Sequence, residues 1–252
     1  MAYRPLHRNL TEPTFDDPAD ERLHRQRQCA LAYRSFGAMR WGQLGDGHIS
    51  VRDPEQTEAF WLLRYGVPFR QATVADLVLV GADGSVLEGD GEINETAYYI
   101  HMPIHEARPD VVCVAHTHTP YGTPWTANVE PFRAISQEAL SFVFNQAVFD
   151  GEELNVSDYP TGQRIAEAMG PNTLCFLRNH GLLTAGASVA EAVGFYVMAE
   201  RVSEVHVKAP QAKAISDEAA KKLAEWAEKP SVAWQSFQFL VRTEIPDPSV
   251  VG

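Results

Sequence analysis

The sequence predicts an α/β fold, a sheet with helices on both of its faces. Short apolar runs bounded by polar and glycine-bearing turns, such as Val111–Ala115 and Thr173–Leu177, read as buried strands. Stretches of helical spacing separate these runs along the chain. The 252 residues are 45% hydrophobic and 21% charged, with no Pro/Gly/Ser-rich linker, repeat or low-complexity run. One large domain with a substantial core fits that composition better than two small ones.

The elements follow in order. Residues 1–18 are polar and proline-bearing and are expected to form an irregular arm, with the domain proper spanning 19–252. From Pro18 to Phe36 the spacing of Leu23, Arg27, Ala30, Leu31 and Arg34, with Asp-Glu at the start, predicts an amphipathic helix. Strands are expected at His48–Arg52, Phe60–Arg64 and Leu77–Val80, with turns such as Gly81–Gly84 between or after them. Asn94–Ala107 reads as a helix stopped by Arg108-Pro109. The two apolar strands come next, with helices expected between them near Gln137–Asn145 and Gly162–Met169. Ser188–Lys208 is a helix that Ser188 can cap, with Glu191 at capping-box spacing. Helices over Asp217–Glu228 and Val232–Val241 complete the chain.

A net charge of −12 argues against a nucleic-acid partner, because neutralising phosphates needs clustered Lys and Arg. The three cysteines include no Cys-x-x-Cys pair, and Cys113 and Cys175 fall inside apolar strands, where a thiol behaves as a small hydrophobe. The N-terminal segment lacks the apolar core of a signal peptide, and no run reaches the length of a membrane span. A reducing cytoplasm is the expected setting, with no membrane partner.

The chemistry concentrates in two short stretches. Val114-Ala115-His116-Thr117-His118 ends one apolar strand, and residues i and i+2 of a strand point to the same face. His180 ends the second run, in Arg178-Asn179-His180-Gly181, where a glycine turn is expected to follow. Three imidazoles delivered by two strand ends make a facial site for a divalent metal, leaving positions for water or substrate. Zn, Mn and Fe all suit such a donor set.

These stretches resemble the class II aldolase and adducin family. The block Arg108-Pro109-Asp110, the apolar strand with His116-Thr117-His118, and the distant His180-Gly181-Leu182 occur in the family's order. The segment Gly47-His48-Ile49-Ser50-Val51-Arg52 matches an upstream Gly-x-Ile-Ser-x-Arg. The similarity runs from about Asp20 to about Lys208. It implies a single three-layer α/β/α domain around a mixed, largely antiparallel sheet, a divalent metal on the three histidines, and a homotetramer.

Sugar-phosphate aldolases of that family use a phosphate cradle and a glutamate four residues before a helix histidine. With His101 set against that histidine, the glutamate position becomes Ala97, and a serine pair becomes Glu95 and Thr96. His48 replaces an asparagine, and a threonine-bearing turn becomes Leu63-Arg64-Tyr65-Gly66. Glu95 would repel a phosphate dianion. The expected activity is therefore metal-dependent carbon–carbon bond cleavage without a sugar phosphate, foremost decarboxylation of a small hydroxylated aromatic or related carboxylic acid. A non-haem iron oxygenase of aromatic keto or hydroxy acids is the alternative. A sugar-phosphate aldolase and a non-enzymatic adducin-like module rank lower.

His48, Glu95 and Glu138 are the candidate catalytic residues, with Glu138 also a possible fourth ligand. Arg52, Arg64 and Tyr121 are the candidate substrate contacts, each suited to a carboxylate or a ring. An ion pair from Arg52 to Asp53 or Glu55 is an equal alternative. His101 and His105, four apart on one helix face, are expected to support the site from behind. His7, His24 and His206 are expected to face solvent.

Overall fold

The structure is a computed structural model, and it describes residues 11–252. The first ten residues of the expected arm, His7 among them, lie outside the described residues. Eight strands of the described residues form one sheet: β1 (Gly47–Arg52), β2 (Phe60–Leu63), β3 (Leu77–Val80), β4 (Val86–Glu88), β5 (Cys113–Thr117), β6 (Gln146–Phe149), β7 (Leu174–Leu177) and β8 (Gly181–Gly186). Their order across the sheet is β4-β3-β2-β1-β5-β8-β7-β6. Every neighbouring pair is antiparallel except β6 and β7, so the sheet is mixed and largely antiparallel.

Among the described residues seven helices accompany it: α1 (Pro18–Ala38), α2 (Glu95–Ala107), α3 (Gly122–Thr126), α4 (Tyr159–Met169), α5 (Val189–Lys208), α6 (Asp217–Ala227) and α7 (Pro230–Glu244). The alternation of the strands divides the core between two layers. Ile49, Val51, Cys113, Ala115, Phe176 and Leu182 pack with residues of α1, α5 and α7 on one face. Val114, Cys175, Leu177 and Leu183 pack with Ile100 and Ile104 of α2 and Ile165 and Met169 of α4 on the other. The arrangement is the expected three-layer α/β/α domain.

Helix α2 starts where Asn94 Oδ1 accepts from Thr96 N, and it contains Pro103. That proline has no N–H to give the Tyr99 carbonyl four residues earlier. Gly162 of α4 comes against the same carbonyl, where a Cβ would stand only 1.8 Å from the oxygen. The absent side chain lets α4 lie close beside α2 on the same face of the sheet. Arg108, just past α2, donates to the Gly170 carbonyl and to Asp110, tying the helix exit to the end of α4. The Arg-Pro-Asp block thus ends α2 and leads into β5.

Three sequence expectations change. The helix expected near Gln137–Asn145 is only a 3-10 turn at Glu138–Ser141, after which the chain extends into edge strand β6. The glycine after His180 opens strand β8 rather than a turn. His206 is fully buried between the Val202 carbonyl and the Arg133 backbone N–H, not solvent-facing. Among the described residues, no helix is long and apolar enough to cross a membrane.

Candidate metal centre and the adjoining cavity

His116 lies within β5, His118 just past its end, and His180 in the tight connection between β7 and β8. Asn179 takes the left-handed conformation (φ 54°), which asparagine tolerates better than most residues. The His180 N–H then donates to the Leu177 carbonyl at 3.0 Å and closes the turn. One ligand nitrogen from each of the three rings falls within 4.8 Å of the others. Ring centroids are 4.7 Å apart for His116 and His180, and 4.9 Å for His118 and His180.

The donor chemistry fits a metal. His116 Nδ1 lies 2.8 Å from the Leu182 carbonyl, an acceptor, so Nδ1 carries the hydrogen and Nε2 keeps its lone pair. Burial, then the neighbouring His180, holds the His116 pKa well below its usual value. Burial and His118 lower that of His180 to about 4. Both rings are neutral at neutral pH, the form that ligates. His118 is half-exposed and turns Nδ1 toward Asp46, 3.8 Å away. Its backbone N–H and the Thr117 hydroxyl both donate to the Asp46 carbonyl, fixing the end of β5 against the entry to β1.

Two contributors escaped the sequence reading. Asp46 immediately precedes the matched Gly47-His48 segment and carries no motif of its own. Glu200 is a buried carboxylate of α5 that accepts from Thr119 Oγ1 and from the backbone N–H groups of Tyr121 and Gly122. It thereby anchors the loop that follows His118 and satisfies the start of α3. An acid on the apolar stripe of α5, seven residues after Val193, was the available signal.

His48 of β1 is paired directly with His116 of β5, with ring centroids 5.0 Å apart. It also lines a cavity of about 290 Å³ together with Tyr33, Leu44, Leu63, Tyr65, Phe69 and Arg64. His48 therefore joins the triad to the cavity. His101 and His105 reach it from behind, through hydrogen bonds described below.

The remaining candidates are spread more widely. Arg64 lines the cavity while pairing with Asp76 at 2.8 Å. Glu95 is exposed at the first turn of α2. Arg52 lies at the opposite end of β1 from His48 and donates to the carbonyls of Thr57, His105, Arg108 and Val111, rather than to Asp53 or Glu55. Asp53 instead accepts from Arg22 and Trp61. Glu138 faces Arg201 at 3.8 Å in a separate groove against α5 and α7. Tyr121 lies beneath Lys208 at 5.1 Å, at the end of α5. Neither Arg52 nor Glu138 is brought to the three histidines. Ala97, the position that the resemblance sets against the aldolase glutamate, is fully buried among Phe60, Leu62, Val78 and Val80.

The model of the Class II Aldolase and Adducin N-terminal domain matches residues 27–207. "Decarboxylase NovR" of Streptomyces niveus is 32% identical over 231 residues, covering 90% of this chain and 86% of that protein. The "4-hydroxy-3-prenylphenylpyruvate oxygenase/4-hydroxy-3-prenylbenzoate synthase" of Streptomyces roseochromogenus subsp. oscitans is also 32% identical over 231 residues, covering 90% and 83%. Among solved structures, an L-fuculose 1-phosphate aldolase from Glaciozyma antarctica PI12 superposes with a TM-score of 0.86 at 28% identity, covering 93% of each chain. With its three-layer fold and its three histidines in place, the chain belongs to the class II aldolase and adducin family.

Proposed function

We propose that the protein is a divalent-metal-dependent carbon–carbon lyase that decarboxylates a small hydroxylated aromatic or related carboxylic acid. The observation that carries this reading is a metal-competent histidine triad beside a cavity walled by aromatic and aliphatic side chains. His116, His118 and His180 would hold the ion, which would supply a positive centre for the charge that develops as the carbon–carbon bond breaks. The cavity volume suits a single ring with small substituents. Tyr33, Tyr65 and Phe69 offer aromatic surface to such a ring, and the buried Leu63 adds apolar wall.

The surroundings are poor for a sugar phosphate. The Thr96 hydroxyl is spent on Asn94 Oδ1, and Arg64, the one cation lining the cavity among the described residues, is already matched by Asp76. Ala97 leaves no carboxylate to take a proton from a substrate hydroxyl. Decarboxylation is compatible with that loss, because no hydroxyl has to be deprotonated for CO2 to leave. The decarboxylase name of a relative at 32% identity supports the same reaction class. In this reading the protein works in the cytoplasm as a homotetramer.

The test is CO2 release from a panel of aromatic hydroxy and keto acids, using protein prepared without oxygen and loaded with Mn, Zn or Co. Turnover under strict anaerobiosis supports the lyase; efficient cleavage of a ketose or aldose phosphate overturns it. A second reading, an iron-dependent oxygenase of an aromatic keto or hydroxy acid, is favoured by the oxygenase name of an equally similar relative. Product formed only with Fe(II), with oxygen consumed in step, would establish that reading.

A further inference from the structure

A buried hydrogen-bonded chain leads away from the metal centre between β1 and α2. His48 Nδ1 lies 2.8 Å from His101 Nε2, His101 Nδ1 2.7 Å from Ser50 Oγ, and Ser50 Oγ 2.8 Å from His105 Nε2. All four side chains are buried. Two periodicities make the alignment: residues 48 and 50 share a face of a strand, and residues 101 and 105 share a face of a helix.

All three rings are shut off from water and hydrogen-bond within the chain to one another and to Ser50. No carboxylate of the described residues is hydrogen-bonded to any of them, an enclosure that favours the neutral form. A neutral imidazole has one N–H and one bare nitrogen, and a serine hydroxyl has one hydrogen to give. Ser50 could also accept from both rings, but its buried hydroxyl hydrogen has no other acceptor among the described residues, so that hydrogen is spent within the chain, and the three hydrogen bonds run in one of two senses. In the first, His105 donates to Ser50, Ser50 to His101 and His101 to His48, which leaves the His48 hydrogen on Nε2, at the site. In the second every donor is reversed, and His48 presents a bare Nε2.

The two ends of the chain select between these senses. At the far end His105 Nδ1 is buried with no hydrogen-bond partner. The Val111 carbonyl lies on that side, but it makes no hydrogen bond of normal geometry with Nδ1, and it is already held by Arg52 Nε at 2.9 Å. A buried N–H without a partner is costlier than a bare ring nitrogen, so Nδ1 of His105 is the place for the missing hydrogen. At the near end Thr96 Oγ1 lies 3.4 Å from His48 Nε2. That hydroxyl gives its own hydrogen to Asn94 Oδ1 at 2.7 Å, so only its lone pairs face His48. Both ends favour the first sense.

We propose that His105, Ser50 and His101 are positioning residues that lock His48 with its hydrogen on Nε2, so that His48 serves the site as a neutral hydrogen-bond donor. A neutral imidazole does not surrender its N–H, since an imidazolate is far too basic, and with Nδ1 occupied by His101 it cannot act as a base. What it can do is donate to an oxygen on which negative charge grows, without reorganising. The tautomer follows from the hydrogen bonds alone; only its use in turnover rests on the decarboxylase reading.

The direct test is the ring nitrogen spectrum of uniformly 15N-labelled, metal-free protein, with the rings assigned through their neighbours. The expected result is hydrogen on Nε2 and a bare Nδ1 for His48, His101 and His105 alike; hydrogen on His48 Nδ1 overturns the proposal. No metal or substrate enters this measurement, so it stands or falls separately from the decarboxylase reading. In the metal-loaded enzyme Ser50→Ala should lower kcat about tenfold, with KM and metal content held, and Ser50→Thr, which restores the hydroxyl, should recover most of it. An unchanged kcat in Ser50→Ala would show that the chain positions nothing.

Discussion

Gly181 lies against the ring of His116: a Cβ at position 181 would stand 3.2 Å from His116 Cε1 and 3.2 Å from the Thr117 carbonyl oxygen. The backbone of Gly181 is not in the left-handed region, so the glycine serves space rather than conformation. A methyl there must push the ring or the strand by a few tenths of an ångström. The ring is the easier to move, although it is held by its bond to the Leu182 carbonyl. Gly181→Ala is therefore expected to weaken metal binding about tenfold, or about 1.4 kcal/mol, with little loss of fold. Competition with a chelator would measure it; wild-type affinity would mean that His116 has room to spare.

The buried histidines also set a pH dependence. His48, His101 and His116 are held well below the usual imidazole pKa chiefly by burial, His105 is lowered to about 3, and His180 to about 4. In the unfolded chain these rings take up protons near pH 6.5. Between that value and the folded pKa values the unfolded state binds more protons, so stability is fully present above pH 6.5 and falls as the pH is lowered. The metal-free protein should lose thermal stability progressively from pH 7 to pH 4.5, before most carboxylates protonate. Calorimetry across that range would check it, and a flat profile would contradict neutral buried rings.

The legibility of the sequence followed the range over which each signal acts. The triad was visible because strand period and apolar flanks are local, and His116, His118 and His180 meet as that pattern requires. His48 and Arg52 share a face of β1 by strand alternation, yet alternation carries no information about distance along the strand. Arg52 accordingly ends among four carbonyls far from His48. Strand β6 was missed because an edge strand parallel to its neighbour needs little apolar alternation, and helical spacing near residue 140 masked it. Asp46 and Glu200 reach the site through loop geometry and a buried cap, both set by tertiary packing.

Glu200 gives a third prediction. Its carboxylate is desolvated, which raises its pKa, while the Thr119 hydroxyl and two backbone N–H groups favour the charged form. Removing it leaves those donors buried without an acceptor, a loss of roughly 1–3 kcal/mol. Glu200→Gln keeps the shape and one acceptor oxygen, so it should fall short of the full loss seen in Glu200→Ala. Because the loop begins at His118, both variants should also release metal faster. Denaturant unfolding with metal-release kinetics would test this, and an unchanged release rate would separate Glu200 from the metal centre.

The two arginines should part in opposite directions. Arg52 is half-buried and donates to the carbonyls of Thr57, His105, Arg108 and Val111, which close the exit of α2 over β1. Arg52→Leu would leave several carbonyls short of a donor, and hydrogen bonds from charged groups are the stronger kind. A loss of about 3 kcal/mol in stability is expected, with KM for a carboxylic acid substrate unchanged in the fraction that folds. Arg64 lies in the cavity wall, and its own side chain is exposed in the pair with the partly buried Asp76, worth about 1 kcal/mol. Arg64→Leu should leave the melting temperature nearly untouched while raising KM for a substrate whose carboxylate or hydroxyl reaches that wall. Melting curves and steady-state kinetics on the two variants decide the matter. A raised KM in Arg52→Leu with normal stability would return Arg52 to the substrate-binding role expected of it from the sequence.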